Sequence, residues 1–311
     1  MPSMRRGRER YKIAMIGIGS MESIPVYHYN PGGTVVRVAF SSIETPAYKC
    51  DVFPICVFGE GSRVLSFQEV DESFILGRLR AWSATSIFID GLEPLNSLSR
   101  EALNALRLKA KSYHYTLGAR TLGLADIEKI KLLDYVVIDY MRDYSLEPAL
   151  PGNAIKLLYD VLDLDAWVEV SAYLKEPDIK KLHPLIVALE GTRVPLHVFI
   201  EDHKGGGPVR DLYSTLSDKL YYVYIHNDMY PRLDTLCPNC KAPIASRDEG
   251  VLRSLELRES KCWKCGYTIP FQGSIRKKTP SQLLLTVDEG GVKWYHPSQL
   301  IGGFGFWASP T

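Results

Sequence analysis

The sequence predicts an α/β protein: a parallel sheet of strand–helix units forming a full or partial (β/α) barrel, followed by a small cysteine-bound module. Three observations carry this. First, from about residue 35 to 226, short β-rich runs alternate with amphipathic helical stretches. The strands recur roughly every 20 to 30 residues, about the length of one strand–helix–strand step. Second, most of these runs are apolar along their length, as expected of a sheet buried under helices. Third, Cys237, Cys240, Cys262 and Cys265 form two Cys-x-x-Cys pairs with 21 residues between them.

The bulk properties fit one large domain plus a small one. The chain has 311 residues, 46% hydrophobic and 23% charged, with a net charge of +1. That balance gives no argument for nucleic acid and none against a local basic patch. No apolar run approaches the roughly 18 residues that span a bilayer. The basic start, Met1 to Arg10, leads into a short apolar segment and then Gly-rich sequence. This is not the pattern of a secretory signal, so a cytoplasmic protein is expected, with no membrane partner.

In chain order, residues 1–34 read as an N-terminal extension. Gly17-Ile18-Gly19 within it follows an apolar run, but a lone Gly-x-Gly does not define a dinucleotide loop. Residues 35–235 read as the barrel, with strands at Val35–Phe40, Ser86–Asp90, His114–Leu117, Tyr135–Asp139, Trp167–Ser171, Leu196–Ile200 and Tyr222–His226. Between them, Ser97–Lys111 shows the helical signal. Leu98, Ala102, Ala105, Leu106 and Leu108 fall mostly on one face, against Arg100, Glu101, Arg107 and Lys109. His203–Pro208, with three successive glycines, reads as a loop that ends with Pro208 in the first turn of a helix. Residues 227–235 link to the cysteine module at 236–272. A C-terminal extension, 273–311, carries a strand-like Gln282–Val287 and the aromatic run Gly302–Trp307, both expected to pack back on the body.

Two Cys-x-x-Cys turns can wrap four thiolates around one ion, and a Cys₄ shell suits structural Zn²⁺ because it leaves no open position for catalysis. Pro238 stiffens the first turn, and Gly266 lets the chain double back after the second. Two disulfides, or two redox dithiols, are the competing uses of the same residues. Disulfides need an oxidising compartment, and nothing in the chain points to export.

In a parallel barrel the loops after the C-terminal strand ends carry the chemistry. Read in order, those positions are Cys50-Asp-Val-Phe-Pro-Ile-Cys56-Val-Phe58-Gly59, then Asp90-Gly91-Leu92-Glu93-Pro94-Leu95, Thr116-Leu117-Gly118, Val137-Ile138-Asp139, Val168-Glu169-Val170 and Pro195-Leu196-His197. With Tyr222-Val-Tyr-Ile-His-Asn227 and the terminal cysteine module, this order resembles the activating-enzyme-like branch of the radical SAM superfamily. The resemblance covers about residues 35–272. It implies a partial (β/α) barrel of radical SAM type with a zinc ribbon, and an iron–sulfur cluster and S-adenosylmethionine (SAM) at the barrel mouth. Cys50, Cys56, Gly91, Glu93, Thr116 and Asp139 then take the cluster and SAM positions.

The chain departs from that pattern. Gly59 stands where the resemblance puts a third cluster cysteine, and the gap between Cys50 and Cys56 is wider. Asp51 is a hard ligand for a soft cluster, which leaves a distant residue such as His28 as the alternative third ligand. Leu92 replaces the second glycine of Gly-Gly-Glu-Pro-Leu, and Leu117 replaces Asn in Thr-Asn-Gly. Each residue also has a plain structural reading: Cys50 and Cys56 as small buried side chains, Glu93 and Asp139 as loop-stabilising carboxylates, and His197 as a satisfied core histidine. The basic runs Arg5–Arg10 and Arg276–Lys278 read as solvated surface. The expectation is a degenerate, non-catalytic binding or scaffold protein with another protein as partner, holding zinc but no cluster. Two alternatives stand beside it: an active radical SAM enzyme with a non-standard cluster, and a nucleic-acid-binding subunit that uses the ribbon and basic runs.

Overall fold

The computed structural model describes residues 10–40, 68–90, 93–141, 143, 150–201, 206–227, 229–248, 251–279, 284–288 and 291–295. A nine-stranded sheet dominates it, built from β1 (Tyr11–Ser20), β2 (Thr34–Phe40), β3 (Gln68–Val70), β4 (Ser86–Asp90), β5 (Thr116–Thr121), β6 (Tyr135–Met141), β7 (Trp167–Leu174), β8 (Leu196–Ile200) and β9 (Val223–His226). The order is β3-β1-β2-β4-β5-β6-β7-β8-β9. From β2 to β9 each strand lies parallel to the next, while β1 runs antiparallel to both β2 and β3. Among the described residues no pairing joins β3 to β9, so the sheet does not close there.

Parallel strands laid down in chain order with right-handed crossovers put every helix on one face. That layer is α1 (Glu72–Ala81), α2 (Arg100–Lys111), α3 (Ile127–Ile130), α4 (Pro151–Val161), α5 (Ile179–Leu189) and α6 (Gly206–Lys219), each packed against its neighbour in sequence. Local chemistry starts them. Asp71, Ser99, Asp126 and Asp178 accept N-cap bonds from Phe74, Ala102, Glu128 and Lys180, and Pro151 opens α4. Ser99 shortens the expected 97–111 helix by one turn. Its buried stripe is Ala102, Leu103, Leu106 and Ala110, while Leu108, expected on that face, is 61% exposed.

The core lies between this layer and the sheet, where Val36, Ile87, Ile89, Ala119, Val136, Ile138, Val170, Ala172, Val198 and Ile225 meet the helices. Their neighbours at every second position point to the inner face and are largely polar or aromatic: Arg37, Asp90, Arg120, Asp139, Glu169, Tyr173, His197, Tyr224 and His226, all buried. The sheet is therefore buried on both faces but alternates in character, rather than being apolar throughout.

Residues 11–30 are not an extension. Gly17 and Gly19 lie inside β1, paired with Arg37 and Val35. Met21, Ile24 and Val26 then plug the inner face against Val35, Phe88, Tyr135 and Val137. The cysteine module forms two small sheets, β10 (Thr235–Leu236), β11 (Pro243–Asp248) and β12 (Val251–Leu255), then β13 (Leu257–Arg258) and β14 (Lys261–Cys262). It packs around Ile244, Leu252, Ile269 and Phe271. A hairpin, β15 (Leu284–Asp288) with β16 (Gly291–Tyr295), places β15 beside β1. The aromatic run 302–307 lies outside the described residues. No helix among the described residues is long and apolar enough to cross a membrane.

Candidate functional site and metal centre

At the C-terminal end of the sheet the inner face carries a ladder of charges. Arg37 donates to Asp90 Oδ2 through Nε at 2.9 Å and also through Nη2. Arg120 grips Asp139 with both arms of its fork, at 2.8 and 3.0 Å, and reaches Asp90 Oδ1 at 3.2 Å. Tyr173 Oη accepts from Arg120 at 3.1 Å. All five side chains are buried, so two guanidiniums and two carboxylates neutralise one another in a dry environment. Burial raises Asp139, with Arg120 opposing the shift.

Glu93, just beyond β4, reaches across to β5. Its Oε1 accepts from Thr121 Oγ1 at 2.5 Å and its Oε2 from the Leu122 amide at 2.6 Å. Desolvation pushes this carboxyl up to about 7 despite those bonds. Its backbone sits in the left-handed region, φ 43°, where a non-glycine residue is strained.

A second network fills the inner face between β7, β8 and β9. Glu169 accepts from the amides of Tyr27 and His28 at 3.0 and 2.8 Å and from the Trp167 indole at 3.0 Å. His197 Nε2 lies 2.9 Å from Glu169, and His197 Nδ1 lies 3.0 Å from His226 Nε2. His28 Nε2 meets Tyr224 Oη at 2.6 Å, which contacts Thr235 Oγ1 at 2.8 Å. Arg247 comes from the cysteine module, donates to Thr235 and the Tyr27 carbonyl, and stacks on the Tyr27 ring at 4.2 Å. Burial lowers all three imidazoles, His28 to about 3 and His197 and His226 well below the usual range.

In the module itself the four sulfurs lie within 4.8 Å of one another. Cys237 and Cys265 are 3.6 Å apart, and Cys240 and Cys262 are 3.7 Å apart, all four thiols free of disulfides. Tetrahedral bonding at about 2.3 Å per metal–sulfur bond implies sulfur separations of roughly 3.8 Å, so the cage fits such an ion. The two turns match. Each places a left-handed residue, Lys241 or Gly266, immediately after its second cysteine, and each closes with an amide bond back to the first. The Tyr267 amide and Asn239 pull Cys265 down to about 6, while burial pushes Cys237 up to about 12.

Among the strand-end residues read from the sequence, Glu93 and Asp139 lie at the C-terminal end, as expected, but Asp139 is held by Arg120 and Glu93 by Thr121. Thr116 does not. It is the first residue of β5, at the opposite end, bonded to Ser86 and Asn30. The strand ends instead at Thr121, followed by a second Thr-Leu-Gly, Thr121-Leu122-Gly123, and it is this copy that meets Glu93. Gly123, at φ 94°, allows a close approach to the backbone of α4. Cys50, Cys56 and Gly91 lie outside the described residues. His28, considered as a distant cluster ligand, is turned to Tyr224. Sequence reasoning missed Arg37, Arg120 and His226. The signal was present in the alternation Glu169, Ser171, Tyr173 along one strand. No family model matches this sequence, and a search of curated proteins returns no significant match.

Proposed function

We propose that the chain is a degenerate barrel of radical SAM type that acts as a binding or scaffold protein, with another protein as partner, its ribbon held by structural zinc. The observation that carries the reading is the Arg37–Asp90–Arg120–Asp139 ladder. A charged cofactor laid against that end of the sheet would have to break ion pairs that are already complete and buried, at several kcal/mol for each charge left unpaired. Cysteine supply supports the same reading. Four of the six cysteines sit in the metal cage, which leaves Cys50 and Cys56 where a site-differentiated cluster needs three thiolates. The sulfur spacing supports zinc in the cage, since four soft thiolates in a closed tetrahedron suit it.

Anaerobic reconstitution with iron, sulfide and SAM, followed by metal analysis, tests the proposal. The expected result is one zinc per chain, iron near zero and no 5′-deoxyadenosine under dithionite. About four irons per chain with 5′-deoxyadenosine formed would overturn it in favour of an active radical enzyme.

A further inference from the structure

We propose that the open edge of β9 takes up an extended, uncharged segment of a partner protein, which adds to the sheet as a further strand. β9 is the last strand in the sheet order, with β8 on one side. In a parallel ladder, alternate residues turn their backbone groups to opposite edges. Leu196 lies opposite Val223, and its amide bonds the Tyr222 carbonyl. Tyr222 and Tyr224 therefore face β8, while Val223 and Ile225 face outward. Ile225 is satisfied, because it exchanges both backbone bonds with Arg232 at 2.9 Å each, as an antiparallel strand would. Val223 is not. It is 7% exposed, and neither its amide nor its carbonyl has a hydrogen-bond partner among the described residues. Buried backbone groups left in that state cost free energy comparable to a lost hydrogen bond.

A regular hairpin would continue from Arg232 and set Asp234 opposite Val223. The chain leaves the edge instead. The Asp234 carboxylate accepts from the Arg247 amide, and Thr235 pairs with Ala245 on β11. The gap this opens is a cavity of about 350 Å³, walled by Val223, by Tyr213 and Ser217 of α6, and by Leu236 and Pro238 of the module. The space and the orphaned groups therefore coincide. A donor and an acceptor on one edge residue, next to a pair already made by Arg232, match an extended backbone, which supplies both bonds from a single residue. Side chains of such a strand would alternate between α6 and the module, where β-branched residues fit. At the rim, Arg210 and Lys241 stand with Asp218 and Asp234, a balance of charge that favours an uncharged segment.

This rests on the binding reading above and names its surface, but its test involves neither iron nor SAM, so the two can fail separately. The probe is an end-blocked Thr-Val-Thr-Val-Thr peptide added to the full chain labelled with nitrogen-15. Saturable binding is expected, with hydrogen exchange of the Val223 amide slowed at least tenfold and that of Tyr224, which faces β8, unchanged. The same peptide N-methylated at two adjacent central residues loses donors on both of its edges and should bind at least tenfold more weakly. Ser217→Trp fills the cavity from α6, where the serine hydroxyl bonds the Tyr213 carbonyl of its own helix. It should block binding while thermal unfolding confirms the fold. No saturable binding, equal binding of the methylated peptide, or binding that leaves Val223 exchange unchanged would each overturn the proposal. Slowed Val223 exchange that grows with protein concentration alone would also overturn it, in favour of a second copy of the chain at this edge.

Discussion

Glu93 illustrates how one buried carboxyl ties stability to pH. Its ordinary value, 4.5, applies to the unfolded chain, and burial raises it to about 7 in the fold. Between those values the folded state holds the extra proton, so stability falls as pH rises from 4.5 to 7, by at most about 3 kcal/mol. Urea unfolding at pH 5 and pH 7.5 checks this, and Glu93→Gln should flatten the difference. Arg120 is the opposite case, a charge held by its partners. Arg120→Met leaves Asp139 without its fork and should cost about 3–5 kcal/mol in the same assay, whereas Arg120→Met with Asp139→Asn should recover much of it. A merely solvated pair would show neither the loss nor the recovery.

Elements depend on similar details. Gly118 faces inward on β5, and a Cβ there would fall 2.2 Å from the Tyr135 ring, whose hydroxyl meets Ser86 at 2.7 Å. Gly118→Ala should therefore cost about 3 kcal/mol, and less than about 1 kcal/mol in a Tyr135→Ala background. Thermal melts of the four proteins give the cycle. The same strand shows what the sequence could and could not reveal. The other parallel strands were legible because each begins and ends with a change in apolar density, as Ser86–Asp90 and Leu196–Ile200 do. On β5 the residues Thr-Leu-Gly occur twice, and composition does not say which copy opens the strand. Pairing does, since Gly118 must lie beside Phe88. β1 escaped for a related reason: Gly17 and Gly19 interrupt its apolar run, and its antiparallel partners β2 and β3 make it a strand. The four cysteines were legible because metal geometry fixes their spacing locally. The Glu169–His197–His226 network was not, because it joins three strands and depends on alternation along each of them.

At the scale of the whole molecule, the module and the sheet are one structure. Arg247 holds the Tyr27 carbonyl, the Gln272 amide bonds the His28 carbonyl, the Ser274 amide bonds Asn30 and Thr279 bonds Glu22. Stripping the metal with a strong chelator should thus raise hydrogen exchange at Tyr27 and His28 as well as throughout 235–271, since both amides are held against Glu169 under the module. Exchange confined to 235–271 would show the two parts to be independent. These bonds span 220, 244 and 257 residues of sequence. A ribosome therefore releases the first partner of each bond long before the second exists. Until then the inner face lacks the contacts that Arg247, Ser274 and Thr279 bring to it. The four cysteines, which could hold a metal ion, emerge after every strand of the main sheet, so an ion binding them would do so late. Cell-free synthesis with the metal withheld until after release is then expected to leave the contacts between module and sheet unmade until the ion is added.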